Sequence, residues 1–243
     1  MNKKTMVLAC WLGFLLLKVG AVSPEEIVDY PVSENLRGHE NTEWSTSYAY
    51  HLTDAQKTLP RVLLVGDSIC KGYQSGVCEA LEGKMSVTYW VSSYCVTSPC
   101  YMKFLSIYLD EAEYSVVHFN NGCHSFGTSN SDWEKGLRAA LNLIRMKQPK
   151  ATIIWTSTTP NKNAANNARV KELNAVAEKV VAEMKNIAVD DLYAIMDPLD
   201  RETYWQDNYH FNPAAVNMQV MKVAEACLKP QDDSGSTPVV MAE

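Results

Sequence analysis

The sequence predicts a three-layer α/β/α domain built on a five-stranded, largely parallel sheet. Three observations predict it. Five short runs rich in β-forming residues recur at 61–66, 85–91, 114–119, 151–156 and 187–193. The stretches between them carry helix caps or helical periodicity and are long enough to cross a sheet and return parallel. The first run, Arg61-Val-Leu-Leu-Val-Gly66, is apolar at consecutive positions, as suits a strand buried on both faces, and it halts at Gly66-Asp67-Ser68.

In chain order, residues 69–81 read as a helix ended by Gly83. Residues 85–91 alternate loosely and form the second strand. Ser98 and Pro99 supply a cap and a first-turn proline for a helix to about residue 109. The third strand, 114–119, runs into Asn120-Asn121-Gly122-Cys123-His124. Ser131 and Glu134 have capping-box spacing and open a helix whose Leu137, Ala140, Leu141 and Ile144 make a core-facing stripe. The fourth strand, 151–156, leads into Ser157-Thr158-Thr159-Pro160, a hydroxyl-rich, turn-forming stretch. A long amphipathic helix follows over 166–185, with Val170, Leu173, Val180 and Met184 at helical spacing. The fifth strand, 187–193, and a connector over 194–204 precede Asn212-Pro213, which opens a last helix to about residue 228.

Outside this domain (61–229), residues 1–21 read as a secretory signal peptide: Lys3-Lys4, an apolar run over 6–17, then small residues at Gly20-Ala21. Lipoprotein processing at Cys10 is the alternative. The apolar run is short for a membrane span, so no stable membrane insertion is expected after leader cleavage, and the protein is expected to be secreted or periplasmic. Residues 22–60 form a polar arm with scattered aromatics and no sustained period, expected to pack irregularly on the domain or to wall its active edge, with a short helix over 53–57. The tail, 230–243, contains Asp232-Asp233-Ser234-Gly235-Ser236 and reads as disordered.

A net charge of −6 and a pI near 5.4 offer no basic stripe for nucleic acid. Six of the seven cysteines follow the leader. Export permits disulfides, with Cys70/Cys78 and Cys95/Cys100 as the local options, and burial as apolar side chains is the alternative. No Cys-x-x-Cys or His-x-x-x-His spacing occurs, so neither a metal nor a cofactor is expected. Oligomeric state stays open.

The chemistry starts at Ser68. Ligands of open α/β sheets bind at the carboxyl ends of the strands, where this hydroxyl falls. As a nucleophile it needs a base; the alternative is a serine that merely caps the next helix. Far along the chain, Asp207 precedes His210 by three residues. A histidine base needs such a carboxylate to fix its tautomer and steady the imidazolium.

Gly66-Asp67-Ser68 after the first strand and Asp207-x-x-His210 before the last helix resemble the first and last sequence blocks of the SGNH (GDSL-type) hydrolases, over residues 61–228. The resemblance implies a flavodoxin-like α/β/α fold and a Ser68–His210–Asp207 triad that hydrolyses a carboxylic ester through an acyl-enzyme. It also implies an oxyanion hole made by the Ser68 N–H and an asparagine after the third strand. The family commonly has Gly-x-Asn-Asp there. This chain reads Phe119-Asn120-Asn121-Gly122-Cys123-His124, which leaves Asn120 and Asn121 as candidates, Asn121 slightly preferred, with a plain Asn-Gly turn as the alternative. A glycine N–H after the second strand also serves in the family. Here Val91-Ser92-Ser93-Tyr94-Cys95 has no glycine, and the N–H of Ser92 or Ser93 is expected to stand in. His124, Ser92 and Thr159 are candidate substrate contacts, and Asp67 is expected to be structural.

The expected substrate is a small-molecule or glycan ester, most simply O-acetyl or another short acyl group on a carbohydrate, because export favours an extracellular ester over a cytosolic thioester. A lysophospholipase or thioesterase activity is one alternative. A non-catalytic glycan-binding module with a degenerate oxyanion hole is another. A nucleotide binder is disfavoured, since Gly66-Asp67-Ser68-Ile69-Cys70 lacks a glycine-rich phosphate cradle.

Overall fold

The computed structural model describes residues 43–49, 53–98 and 100–234. The expected signal peptide, the arm as far as residue 42, Pro99 and the tail beyond residue 234 lie outside them. The sheet has six strands: β1 (Ser45–Ala49), β2 (Arg61–Gly66), β3 (Ser86–Ser92), β4 (Val116–Phe119), β5 (Thr152–Thr156) and β6 (Ile187–Asp190), in the spatial order β1-β3-β2-β4-β5-β6. Seven α-helices accompany them: α1 (Ser68–Ala80), α2 (Tyr101–Asp110), α3 (Asn130–Lys147), α4 (Ala164–Met184), α5 (Leu192–Met196), α6 (Arg201–Tyr204) and α7 (Pro213–Ser234).

All pairings from β3 to β6 are parallel, with Val62↔Val87 and Val62↔Val116 fixing the register of the two central pairs. Both faces of the sheet are covered. Leu63 and Val65 of β2 join a core under α2, α3 and α4, whereas Val62 and Leu64 join a second core under α1 and α7. All four are fully buried, each contributing about 1.5–3 kcal/mol by leaving water. The unbroken apolar run is therefore what a strand between two cores requires. One polar strut crosses the second face: the buried His118 Nε2 of β4 lies 2.9 Å from Asp190 Oδ2 of β6 and 2.6 Å from Thr156 Oγ1 of β5.

The five expected strands are β2 to β6, and a sixth joins them at the edge. β1 falls in the arm and pairs antiparallel with β3, Ser47 opposite Trp90. Its sequence, Ser-Thr-Ser-Tyr-Ala, has no apolar run because the backbone ladder rather than a buried face holds it. The helix expected over 53–57 is a 3-10 turn at Gln56–Thr58. The cap of α3 lies two residues earlier than expected: Ser129 Oγ accepts from Asp132 N at 3.1 Å. Ser98 does not cap α2, whose cap position is Cys100. The expected fifth strand stops at Asp190, and α5 and α6 occupy the stretch taken as its end and the connector. Helix α7 runs to Ser234, five residues into the expected tail.

Two features place the functional edge. The chain runs from β2 outward to β3 and then back past β2 to β4, so the direction of winding reverses between β2 and β4. Crevices outside the carboxyl ends of strands at such a reversal are where doubly wound sheets bind ligands. On the second face, α1 and α7 pack closely because Gly76 lacks a side chain: a Cβ there would stand 2.6 Å from Val220 Cγ2.

Candidate active site

Gly66 ends β2 beneath the start of α1, where a Cβ would stand 2.4 Å from Cys70 Cβ. Asp67 then caps α1, its Oδ1 accepting from Ile69 N at 2.9 Å. The capping role considered for Ser68 thus belongs to Asp67, which is 2% exposed and structural as expected. Ser68 is the first residue of the helix, and its hydroxyl is not used as a cap. Its N–H belongs to the first turn, whose N–H groups have no partner within the helix and carry the positive end of the helix dipole.

The Ser68 hydroxyl meets His210 instead. His210 Nε2 lies 2.8 Å from Ser68 Oγ, and His210 Nδ1 lies 2.7 Å from Asp207 Oδ2. The other carboxylate oxygen, Asp207 Oδ1, accepts from the backbone N–H of Tyr209 at 2.7 Å and of His210 at 2.8 Å. The loop therefore folds around its own carboxylate, which orients the ring. Its base is closed by an antiparallel bridge between Trp205 and Phe211, whose rings sit 4.5 Å apart. It is tied down by Trp205 Nε1 donating to Pro160 O and by Lys162 N donating to Asn208 O.

Burial opposes ionisation of Asp207, but the hydrogen bonds from the His210 ring and from the backbone of His210 and Tyr209 outweigh it and hold the carboxyl below its usual range. A carboxylate on Nδ1 leaves Nε2 as the lone-pair nitrogen facing Ser68, the tautomer a base needs. The site is shallow, the His210 and Asp207 side chains being 42% and 54% exposed.

The two asparagines after β4 do different things. Asn121 is a loop staple: its Oδ1 accepts from Val96 N at 3.1 Å and its Nδ2 donates to Tyr94 O at 2.8 Å. Asn120 donates one amide hydrogen to Thr156 O at 2.7 Å and lines a small cavity with Asp67. Both Asn121 amide atoms are thus engaged by the loop after β3, whereas Asn120 lines a cavity that Asp67, the residue before Ser68, also lines. The Asn-Gly dipeptide is more than a turn, because a Cβ on Gly122 would meet Thr158 Oγ1.

The loop after β3 is also committed. Ser93 N donates to Trp44 O at 3.0 Å, and Ser93 Oγ bridges Glu43 Oε2 at 2.7 Å and Trp44 N at 2.8 Å. The Ser93 N–H is thus spent on the arm. Ser92 and Thr159 are buried, 1% and 4% exposed. Thr159 lines the small cavity beside Asp67. His124 is partly exposed and meets Trp44 edge-on, with ring centroids 6.2 Å apart, while Lys71 Nζ stands 5.2 Å from the centre of the same Trp44 ring. Glu43 and Trp44 of the arm thus pack on Ser93, His124 and Lys71. Reading the sequence alone does not single out Glu43 or Trp44, the latter being one of several scattered aromatics in the arm.

Cys70, Cys78, Cys95 and Cys227 carry thiols rather than disulfides, so neither local pairing forms. Cys70 and Cys78 sit two turns apart on α1, beyond the reach of a bridge. Cys95 Sγ is held by the hydroxyls of Thr97 and Ser125. Among the described residues, no group of three His, Cys, Asp or Glu side chains could hold a metal ion. No helix among them is long and apolar enough to cross a membrane.

The layered sheet, the winding reversal and a serine, histidine and carboxylate in hydrogen-bonded line define the class: this chain has the SGNH hydrolase fold. No family model matches the sequence, and no curated protein does. Solved structures do. A carbohydrate esterase of family 3 from Talaromyces cellulolyticus matches 72% of this chain and 99% of its own, with a TM-score of 0.60 at 13% identity. A serine-to-alanine mutant of an acetyl esterase holding an acetate ion matches over 72% and 100%, with a TM-score of 0.58 at 12% identity. A lipase/acylhydrolase from Enterococcus faecalis matches over 71% and 97%, with a TM-score of 0.58 at 18% identity.

Proposed function

We propose that the chain is an exported serine esterase that removes a short acyl group, most simply acetyl, from a carbohydrate. The observation that carries this is the line Ser68–His210–Asp207, closed at 2.8 and 2.7 Å on the carboxyl edge of the sheet where the winding reverses. The names borne by similar structures, a carbohydrate esterase and an acetyl esterase, support the substrate class, and the signal-peptide pattern at residues 1–21 supports export. In the mechanism, His210 Nε2 takes the Ser68 proton as Oγ attacks the ester carbonyl. Asp207 steadies the imidazolium, which then protonates the departing alcohol. Water, activated by the same nitrogen, releases the acid from the acyl-enzyme. The oxyanion is met by the Ser68 N–H, at the positive end of α1, and by the Asn120 amide.

A second reading, a glycan-binding module without turnover, is favoured by one observation: the Ser93 N–H is spent on Trp44, which removes a donor that the loop after β3 could have offered. Turnover of p-nitrophenyl acetate by the mature protein, beside Ser68→Ala and His210→Ala, separates the two. The esterase reading expects wild-type hydrolysis that falls to background in both variants while each stays folded. Wild-type hydrolysis no faster than that of Ser68→Ala would leave the binding module.

A further inference from the structure

A groove of about 200 Å³ opens beside the Ser68–His210 pair, between the first turns of α1 and α7. Its apolar walls are Ile69 and Gly72 of α1, Val216 of α7 and Phe211 just before it. It is smaller than the ~300–1,000 Å³ of sites that enclose drug-sized ligands, so it suits a short chain. Besides Ser68 and His210, two polar side chains line it: the exposed Gln206, and Gln219, whose amide is turned to Met196 Sδ at 3.4 Å.

Gly72 is the unexplained residue of this groove. Inside a helix, glycine is less stable than alanine, so it needs a reason. Gly76, one turn on, has one in the close approach of Val220. At Gly72 a Cβ would meet nothing within 4 Å, and the backbone is not in the positive-φ region, so neither packing nor conformation demands glycine. Gly72 stands four residues after Ser68, on the same face of α1. The two helices touch at Gly76 and Val220 and leave a gap towards the active edge, with Gly72 at its wall.

We infer that this groove takes the alkyl part of the acyl group and that Gly72 sets how long that chain can be. The inference rests on the esterase reading and adds its acyl specificity: a gap against Ser68 whose walls are Ile69, Gly72, Phe211 and Val216 accepts an alkyl chain. A side chain at position 72 fills the gap without striking the fold.

The test is the ratio of kcat/KM for p-nitrophenyl hexanoate to that for p-nitrophenyl acetate, measured for wild type, Gly72→Ala and Gly72→Leu. Ser75→Leu, an exposed position on α1 outside the groove, serves as control. The ratio is expected to fall at least tenfold in Gly72→Leu, to fall partway in Gly72→Ala, and to stay at the wild-type value in Ser75→Leu. If wild type hydrolyses acetate and the ratio in Gly72→Leu stays within twofold, or all chain lengths drop alike, the acyl groove is overturned while the esterase stands. If wild type hydrolyses neither ester, both fall.

Discussion

The Asn120 N–H donates to the Val65 carbonyl at 2.9 Å, extending the β2–β4 ladder one step past β4. That bond seats Asn120 beside Gly66-Asp67-Ser68, whereas Asn121, one residue on, faces the other way to hold Tyr94 and Val96. The two amides should therefore fail differently. Asn120→Ala is expected to lower turnover about 10²–10³-fold, the usual loss for one oxyanion donor, on top of the stability it loses by stranding the buried Thr156 carbonyl. Asn121→Ala should instead lower stability by about 1–3 kcal/mol for each buried group it strands. Kinetics and thermal melts on both variants check this, and an Asn121→Ala protein with wild-type stability would contradict it.

Asp207 gives a pH dependence of known sign. Its carboxyl is held below the usual range in the folded state, so the stability it contributes is fully present above the unfolded value of about 3.9 and is lost as pH falls through the lower folded value. The gap in melting temperature between wild type and Asp207→Asn should be widest near neutral pH and shrink below about pH 4. The gap should be small, because the carboxylate is half exposed. Activity is the sharper readout, with a drop of about 10³–10⁴-fold expected from the wrong histidine tautomer.

The thiols should sort by burial. Burial pushes the Cys70 thiol up to about 12 and raises Cys227 as well, and the side chains of Cys70, Cys95 and Cys227 are essentially inaccessible. Iodoacetamide at pH 8 should leave these three unmodified in the folded protein, while the partly exposed Cys78 reacts. Peptide mass spectrometry before and after denaturation reads this directly. Rapid labelling of Cys70 in the native protein would mean that α1 does not pack as described.

The parallel strands were legible because a strand between two cores must be apolar throughout, and Arg61-Val-Leu-Leu-Val-Gly66 shows that plainly. β1 was not, since an edge strand held by backbone bonds needs no apolar signature. Ser68, Asp207 and His210 could be named because their residue types and spacing fit one chemistry. Asn120 and Asn121 could not be separated: adjacent and identical, they differ only in the register that Val65 imposes. Asp67 and Ser68 posed the same difficulty, as either side chain can cap a helix and only the backbone angles choose.

The antiparallel strand β1 also bears on how the molecule assembles. It leaves the ribosome before any other described element, yet its ladder partners in β3 lie 39 to 47 residues further on, from Ala49↔Thr88 to Ser45↔Ser92. Until β2, α1 and β3 have formed, β1 has nothing to pair with, so it docks late although it is made early. Held by one neighbour alone, it should also be among the first elements to open in native-state hydrogen exchange. Each opening would release the Ser93 N–H from Trp44.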